Sequence, residues 1–249
     1  MRYFFYISYK GTNYHGWQVQ PNALTIQEEV DKALKVLYGE PVETIGSGRT
    51  DTGVHAKMQV FHVDLPEKYS FKELLHKLNG LLPHDIVVNR IRPVVETAHA
   101  RFSATERGYE YHMNFKKTPF GKDEAYFLPN NPDPELINQG CELLLGEHDF
   151  TSFSRVKTDV NNFRCTIYRA EWNQSTEQAV FHVMANRFLR GMVRAMVGTL
   201  LDLGFGKMNL ADYKAVLEAK NRSAAGQSVP PQGLYLCHVR YPEEIFIKP

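Results

Sequence analysis

Short runs of alternating apolar and polar residues recur along the chain, and each run predicts a β-strand. In the first run Tyr3, Phe5, Ile7 and Tyr9 occupy alternate positions, so one face of a strand from Tyr3 to Tyr9 would be apolar. Comparable runs predict further strands at 42–45, 59–64, 86–92, 109–113, 165–172, 179–185 and 233–241.

Other stretches repeat their apolar residues with the period of an α-helix, and polar caps mark where these helices begin. Thr25 and Glu28 form the pattern of a capping box, and Gly39 provides a stop signal for the helix that follows. The predicted helices cover 26–39, 71–80, 134–146 and 210–219, with caps at Thr25, Ser70, Asp133 and Asn209.

Up to about residue 105 the elements follow the order β-α-β-β-α-β. That order is typical of the ferredoxin-like plan, an antiparallel sheet with its helices on one face. The rest of the chain repeats strands and helices at the scale of a domain. The sequence therefore predicts an α+β protein with one domain over 1–105 and a second over 106–249.

Composition limits the classes of partner and location. The chain has 249 residues with 43% hydrophobic content, and 29 basic against 28 acidic residues give a net charge of +1. A nucleic acid would therefore have to be bound by local basic patches. The cysteines Cys141, Cys165 and Cys237 form no C-x-x-C pattern. Without a signal peptide or an apolar run of about 18 residues, we expect a soluble, cytoplasmic protein.

The stretch from Gly46 to Ala56 is the strongest candidate for chemistry. It holds three glycines, three hydroxyl residues, Arg49, Asp51 and His55 between two predicted strands. A simple hairpin turn needs about two to five residues, and this loop is longer. Its glycines allow the backbone to approach another group closely. A carboxylate shortly after an arginine on such a loop is a candidate site.

Three interpretations of this loop compete on composition alone. Asp51 could cap backbone N–H groups in a structural turn, as Asx residues often do. A phosphate cradle is disfavoured, because the loop lacks the P-loop ending and the G-x-G-x-x-G spacing. Asp51-Thr52-Gly53 is also the tripeptide of aspartic proteases, but that chemistry needs two carboxylates and the chain holds one copy.

A second informative stretch runs from Asn186 to Gly198. At helical spacing, Arg187, Arg190 and Arg194 fall within one arc. The arc is either a solvated face or a surface for phosphate or carboxylate, for which arginine is preferred. A basic segment over 155–169 holds Arg155, Lys157, Arg164 and Arg169 against Asp159.

Gly48-Arg49-Thr50-Asp51-Thr52-Gly53-Val54-His55 resembles the Gly-Arg-Thr-Asp-x-Gly-Val-His signature of the tRNA pseudouridine synthase A family. The match extends along nearly the whole chain. The segment from Tyr9 to Gln18 resembles another family motif, although Lys10 replaces its usual Asp. Further family-like segments lie at 99–105, 145–153, 186–198 and 233–236.

The resemblance implies an enzyme that converts uridine to pseudouridine at positions 38–40 of tRNA, in the anticodon arm. It implies an active-site cleft between two domains, a homodimer that shares one tRNA, and no cofactor or metal. Asp51 would be the catalytic carboxylate, with Arg194 as its charge partner. The substrate-binding residues implied by the resemblance or by local charge are Arg49, Tyr109, Arg187, Arg190, Arg194 and Leu234.

Several rival interpretations remain. A non-catalytic RNA-binding protein of the same fold should have lost Asp51, which is present. A nucleosidase-like hydrolase would release free uracil. Tyr109 could be an ordinary cross-strand aromatic residue. His148 with Asp149 could suggest a metal site, but nothing nearby in the sequence completes a ligand set.

Overall fold

The computed structural model describes residues 1–155 and 162–247. The fold is α+β, as the sequence predicts, and the chain divides into two compact units. The first unit is Met1–Thr105 with Tyr235–Pro249, and the second is Glu106–Leu234. The final segment, which the sequence analysis places with the second domain, thus groups with the first unit.

The first unit has the predicted β-α-β-β-α-β order. Its sheet has the strand order β4-β1-β3, with β2 beside β3, and these neighbouring strands are antiparallel. This is the strand order of the ferredoxin-like plan. The elements are β1 (Arg2–Tyr9), α1 (Ile26–Tyr38), β2 (Ile45–Gly46), β3 (His55–Asp64), α2 (Phe71–Leu81) and β4 (Ile86–Val94).

Both helix starts in this unit follow from their caps. The Thr25 side chain accepts a hydrogen bond from the backbone N–H of Glu28, and Gly39 ends α1 in the left-handed region with φ 85°. Ser70 and Glu73 form a complete capping box at the start of α2. Hydrogen bonds within one turn of the chain therefore define these helix ends.

Strand β1 also buries an aromatic residue on the face opposite Phe5, whereas the sequence pattern predicts one apolar face. Phe5 stacks on Phe61 with ring centroids 4.9 Å apart. On the opposite face Phe4, with no exposed surface, packs edge-on against Tyr241 at 4.8 Å. The second face is covered by the C-terminal segment, a contact that a local pattern cannot reveal.

The antiparallel strands of the second unit follow the order β5-β9-β8-β7, and β6 is parallel to β5. Helix α3 packs on α4 and β8. Its elements are β5 (Glu106–Asn114), β6 (Tyr126–Phe127), α3 (Pro134–Glu142), β7 (Gly146–Asp149), β8 (Arg164–Gln174), β9 (Gln178–Ala185), α4 (Met192–Gly204) and α5 (Leu210–Glu218).

The predicted helical arc of arginines is wrong. Helix α4 begins only at Met192, because Gly191 has a left-handed φ of 73° that an α-helix cannot contain. Arg187 and Arg190 precede the helix and do not share a face with Arg194. Helix α3 is also shorter than predicted, ending at Glu142 before β7 begins.

Strand β10 (Leu234–Arg240) follows the second unit, and from Tyr235 onward it belongs to the first. It runs parallel to β3 and pairs Tyr235 with His55 and Leu236 with Ala56. This pairing explains why β3 starts at His55 rather than near residue 59, as predicted. The candidate loop is therefore shorter than the sequence suggests, and we define the Asp loop as residues 47–54.

None of the helices in the described residues combines the length and apolar character that crossing a membrane requires.

A buried histidine on β3 makes the first unit sensitive to pH. The side chain of His62 is 3% exposed, and its Nδ1 accepts a hydrogen bond from the backbone N–H of Ala100 at 3.1 Å. Burial, with the nearby charges of Arg2 and His99, lowers the pKa of His62 to about 4. The folded state therefore favours the neutral ring. The stability linked to His62 is fully present above the pKa of the histidine in the unfolded chain, which is about 6.5.

We expect the free energy of unfolding to fall as pH decreases from about 6.5 towards 4, since the unfolded chain binds the proton first. The loss attributable to His62 should be on the order of 2 kcal/mol. Urea denaturation at pH 7 and pH 4.5 gives the loss of unfolding free energy between the two pH values for the wild type and for His62→Phe. The difference between these two losses measures the contribution of His62. Equal losses in the two proteins would contradict this assignment.

Candidate active site

The Asp loop is built around a tight turn. The backbone N–H of Val54 donates to the carbonyl of Asp51 at 3.1 Å, and Gly53 between them has φ 76°. A positive φ at this position is typical of a type II turn, which favours glycine. Gly53 in the family-like signature is thus explained by backbone geometry.

A second loop holds the Asp loop by main-chain contacts, and we call residues 10–18 the clamp loop. Gly53 donates its N–H to the carbonyl of Tyr14 at 3.2 Å, and Trp17 donates to the carbonyl of Thr50 at 3.3 Å. A β-carbon on Gly16 would lie 2.2 Å from the Thr50 oxygen, and one on Gly11 would lie 2.0 Å from the Val54 oxygen. The glycines of the clamp loop therefore permit an approach that any other residue would block.

The residue before Asp51 anchors the loop. Thr50 is buried, and its hydroxyl lies 2.9 Å from the hydroxyl of Tyr9 on β1. Asp51 itself is half-buried, while Arg49 is exposed. Fixing Thr50 inside the unit restricts the backbone from which both charged side chains extend.

Strand β3 bonds the start of the Asp loop and also the clamp loop. At one end Gln59, fully buried, accepts a hydrogen bond from the Ser47 hydroxyl and donates to the carbonyl of Gly48 at 2.9 Å. Directly after the Asp loop, His55 Nδ1 accepts the N–H of Gly11 in the clamp loop at 3.0 Å. Gln59 is not among the site residues predicted from the sequence, where the available signal was a polar residue within an apolar strand.

Arg194 is held by main-chain atoms of its own unit. This half-buried residue lies in the first turn of α4, and its Nε donates to the carbonyl of Val229 at 2.7 Å. The N–H of Val229 donates in return to the carbonyl of Arg194 at 3.2 Å. We call residues 221–233, which include Val229, the strap. It fixes the direction of the arginine from one side.

The strap lies against α4 at a glycine. A β-carbon on Gly198 would be 1.8 Å from the carbonyl oxygen of Gln227, so only glycine fits. Within the strap, Arg222 donates hydrogen bonds to the carbonyls of Ala225 and Gly226 at 3.2 and 3.1 Å. The position of Arg194 therefore depends on the packing of the strap.

Two tyrosines of β5 differ in their surroundings. Tyr111 is fully buried, donates to the carbonyl of Pro230 at 2.8 Å, and has a pKa raised by burial. Tyr109 is half-buried, with its ring edge-on to Phe188 at 5.0 Å. Tyr109 therefore retains exposed surface, whereas Tyr111 supports the strap. Leu234, at the start of β10, is buried.

The remaining predicted arginines lie ahead of α4. Arg187 is half-buried and Arg190 is exposed, with the carbonyl of Arg190 accepting the N–H of Arg155 at 2.9 Å. Within the predicted basic segment, Arg164 pairs with Glu147 and Arg169 with Glu171, so part of that charge is balanced. Lys157 and Asp159 lie outside the described residues.

Asp51 and Arg49 thus share the Asp loop of the first unit. The other predicted site residues lie in the second unit, and they are Tyr109, Arg187, Arg190, Arg194 and Leu234.

The alternative metal interpretation finds no support in the described part of the chain. His148 Nε2 bonds the carbonyl of Leu145 at 2.8 Å, and Asp149 accepts the N–H of Thr151 and pairs with Lys220. Among residues 1–155 and 162–247 no group of three His, Cys, Asp or Glu side chains could hold a metal ion.

Comparison with known proteins agrees with the signature in the Asp loop. The model of the tRNA pseudouridine synthase family matches residues 6–103 and 141–242. A tRNA pseudouridine synthase A of Parabacteroides distasonis is 48% identical over 246 residues, covering 98% of both chains. The Bacteroides fragilis protein of that name is 47% identical over 98% of both, and that of Bacillus subtilis is 40% identical over 94% of this chain and 97% of its own.

The chain therefore belongs to the tRNA pseudouridine synthase family, which confirms the resemblance seen in the sequence. Among solved structures, a Cbf5-Nop10-Gar1 complex matches with a TM-score of 0.37 and 12% identity, covering 94% of this chain and 57% of that one. A similarity of that size supports no argument.

The tight contact between the clamp loop and the Asp loop predicts that one added methyl group lowers turnover. Gly11→Ala would place a β-carbon against the Val54 carbonyl and displace the Asp loop, which we expect to reduce turnover about 100-fold. Gly80→Ala is the matched control, because a β-carbon there meets nothing within 4 Å in helix α2. The control should keep full turnover and gain roughly 0.5–1 kcal/mol of stability. Melting temperature and single-turnover rate, measured on both variants, check this, and normal turnover in Gly11→Ala would contradict it.

Proposed function

We propose that this chain converts uridine to pseudouridine in tRNA, at positions 38–40 of the anticodon arm. The observation that carries the proposal is the family signature placed on a loop that main-chain contacts hold rigidly, with Asp51 half-buried at its turn. Family membership over nearly the whole length of its relatives supports the same reaction.

The reaction breaks the bond between C1′ and N1 of uridine and forms a bond from C1′ to C5. C5 loses its proton and N1 gains one, so the product is an isomer of the substrate. The uridine must first leave its stack, which costs a few kcal/mol. A carboxylate can then act as nucleophile or base, and we assign that role to Asp51. Whether it attacks the sugar, attacks the ring or removes a sugar proton stays open. The isomerisation has no net redox change, so we infer that no cofactor is required.

The other predicted residues have roles that follow from their chemistry. An opposite charge near a carboxylate favours its ionised form, which is the role we propose for Arg49 and Arg194. The pairing of Arg194 with Asp51 rests on the family resemblance alone. Tyr109 would stack on the base or move a proton, and Leu234 would contact the substrate. From the same resemblance we infer a homodimer and a cytoplasmic location.

Product analysis tests the reaction. Incubating the protein with tRNA labelled in its uridines should give pseudouridine within intact tRNA and no free base. Free uracil would indicate a hydrolase, and unchanged uridine with retained tRNA binding would indicate an RNA-binding protein without this activity.

Asp51→Asn tests the catalytic assignment. Asparagine keeps the shape and accepts hydrogen bonds, but it carries no negative charge and is a poor nucleophile or base. We therefore expect tRNA affinity within a few fold of the wild type and almost no pseudouridine formation. Loss of an essential nucleophile costs on the order of 10⁶ in kcat in other enzymes.

A purely structural Asp51 predicts the opposite pattern. Turnover would stay near normal, while stability would fall by roughly 1 kcal/mol through a weakened turn. Turnover, tRNA affinity and melting temperature, measured on one preparation, separate the two patterns. Near-normal turnover in Asp51→Asn would overturn the assignment.

We also propose that Arg187 and Arg190 contact tRNA phosphates. Each phosphate contact that is lost should reduce the slope of log K against log salt by roughly 0.7–0.9. Arg187→Ala should therefore bind tRNA more weakly and with a smaller salt dependence. Unchanged affinity and slope, from titrations at several salt concentrations, would show that Arg187 is only a surface residue.

A further inference from the structure

One exposed aromatic residue is presented by a short turn that the reaction described above does not use. Phe102 is 75% exposed, and it follows Arg101, which is also exposed. We call residues 98–103 the knuckle. Single exposed apolar side chains are common on protein surfaces, so the case for Phe102 depends on how the turn holds its ring and on what surrounds it.

Every backbone N–H group of the knuckle donates a hydrogen bond. His99 provides most of the bonds, since its Nδ1 accepts the N–H groups of both Arg101 and Phe102, at 3.1 and 3.3 Å. The remaining N–H donors and their acceptors are Ala98 to Val95 O, His99 to Ser103 Oγ, Ala100 to His62 Nδ1, and Ser103 to His99 O. The turn is therefore ordered before any partner arrives.

Buried groups anchor the knuckle to the first unit. Ala100 has no exposed surface, and its carbonyl accepts the hydroxyl of Tyr241 at 2.7 Å. Burial and the charges of Arg2 and Arg101 lower the pKa of His99, which keeps its ring neutral and able to accept. Because the exposed ring is carried by a rigid frame, little conformational entropy is lost when it contacts a ligand.

The surroundings of the Phe102 ring fit a polymer that carries planar bases and anionic phosphates. The ring packs against His99 with centroids 4.4 Å apart, and the Arg101 guanidinium carbon lies 5.4 Å from the ring centroid. A second copy of the chain is a poor fit, since one aromatic side chain buries about 150–250 Å² and a stable interface needs about 800 Å² per partner. Nucleobases stack on single aromatic rings, and arginine suits phosphate.

We propose that Phe102 is a stacking platform for an unpaired nucleobase of the tRNA, with Arg101 beside it for the adjacent phosphate. This proposal rests on tRNA being the substrate. It assigns the knuckle to RNA binding rather than to the chemical step, so its loss should weaken affinity more than it lowers turnover at saturating tRNA.

Substitutions at Phe102 separate stacking from apolar burial. Phe102→Leu keeps an apolar side chain but removes the aromatic face, and it should weaken binding of an in vitro tRNA transcript about 5- to 100-fold. Phe102→Trp should bind at least as well as the wild type. Phe120→Leu is the matched control, because Phe120 is 84% exposed in the second unit, and it should bind normally.

Fluorescence of Phe102→Trp gives a direct readout, because the native Trp17 and Trp172 are buried at 2% and 3% exposure. Addition of the transcript should quench the new emission with the same Kd as the binding assay. Size-exclusion chromatography of Phe102→Leu should match the wild type.

Unchanged tRNA binding in Phe102→Leu, or no quenching in Phe102→Trp, would overturn the proposal. A change of oligomeric state without a change in affinity would do so as well and would assign the ring to an interface between copies. Because binding and fluorescence are measured without turnover, they remain informative if the wild type makes no pseudouridine.

Discussion

The Asp loop and the clamp loop meet through backbone atoms, and the position of Asp51 depends on that contact. Two main-chain hydrogen bonds join them, from Gly53 to Tyr14 and from Trp17 to Thr50. Gly11 and Gly16 leave no room for a β-carbon at the contact. Side chains add to this frame rather than create it, since Tyr9 and Gln59 bond the loop from β1 and β3. A carboxylate on so constrained a backbone has few positions available to it.

The second unit fixes its own charged residue by a similar device. Gly198 lets the Gln227 carbonyl approach α4, and the strap then exchanges hydrogen bonds with Arg194 through Val229. In each unit a glycine permits a close backbone approach. Gly198 lies on the same helix as Arg194, and the carbonyls that meet Gly11 and Gly16 lie on either side of Asp51 in the chain. Preorganised groups of this kind cost little reorganisation at the moment of reaction, which is the physical advantage of holding them rigidly.

The sequence predicted what local chemistry determines. Helix α1 begins after Thr25 and ends before Gly39, and α2 begins after Ser70, because caps and stop residues act within one turn. The family signature also identified the Asp loop, whose geometry explains Gly53. Contacts between residues distant in the chain could not be predicted from local sequence patterns. The pairing of Tyr235 with His55 lengthens β3, and the contact of Tyr241 with Phe4 buries part of the second face of β1.

The failure at α4 has a specific cause. Arg187, Arg190 and Arg194 have helical spacing, but Gly191 adopts a left-handed conformation that places the helix start after the first two. A glycine inside a helical pattern was the available signal, and the periodicity outweighed it. Gln59 was missed for a related reason, since a buried polar residue is meaningful only once its partners in the loop are known.

In the proposed reaction the clamp loop must place the Asp51 carboxylate within a fraction of an ångström. Asp51→Glu tests this directly, because glutamate keeps the charge and adds one methylene. On a rigid loop the carboxylate would be displaced by more than 1 Å, a misplacement that typically costs about 100-fold in rate. We therefore expect single-turnover pseudouridine formation to fall at least about 100-fold, with tRNA affinity and melting temperature near those of the wild type. Turnover within a few fold of the wild type would show that the loop adapts, and would contradict the account.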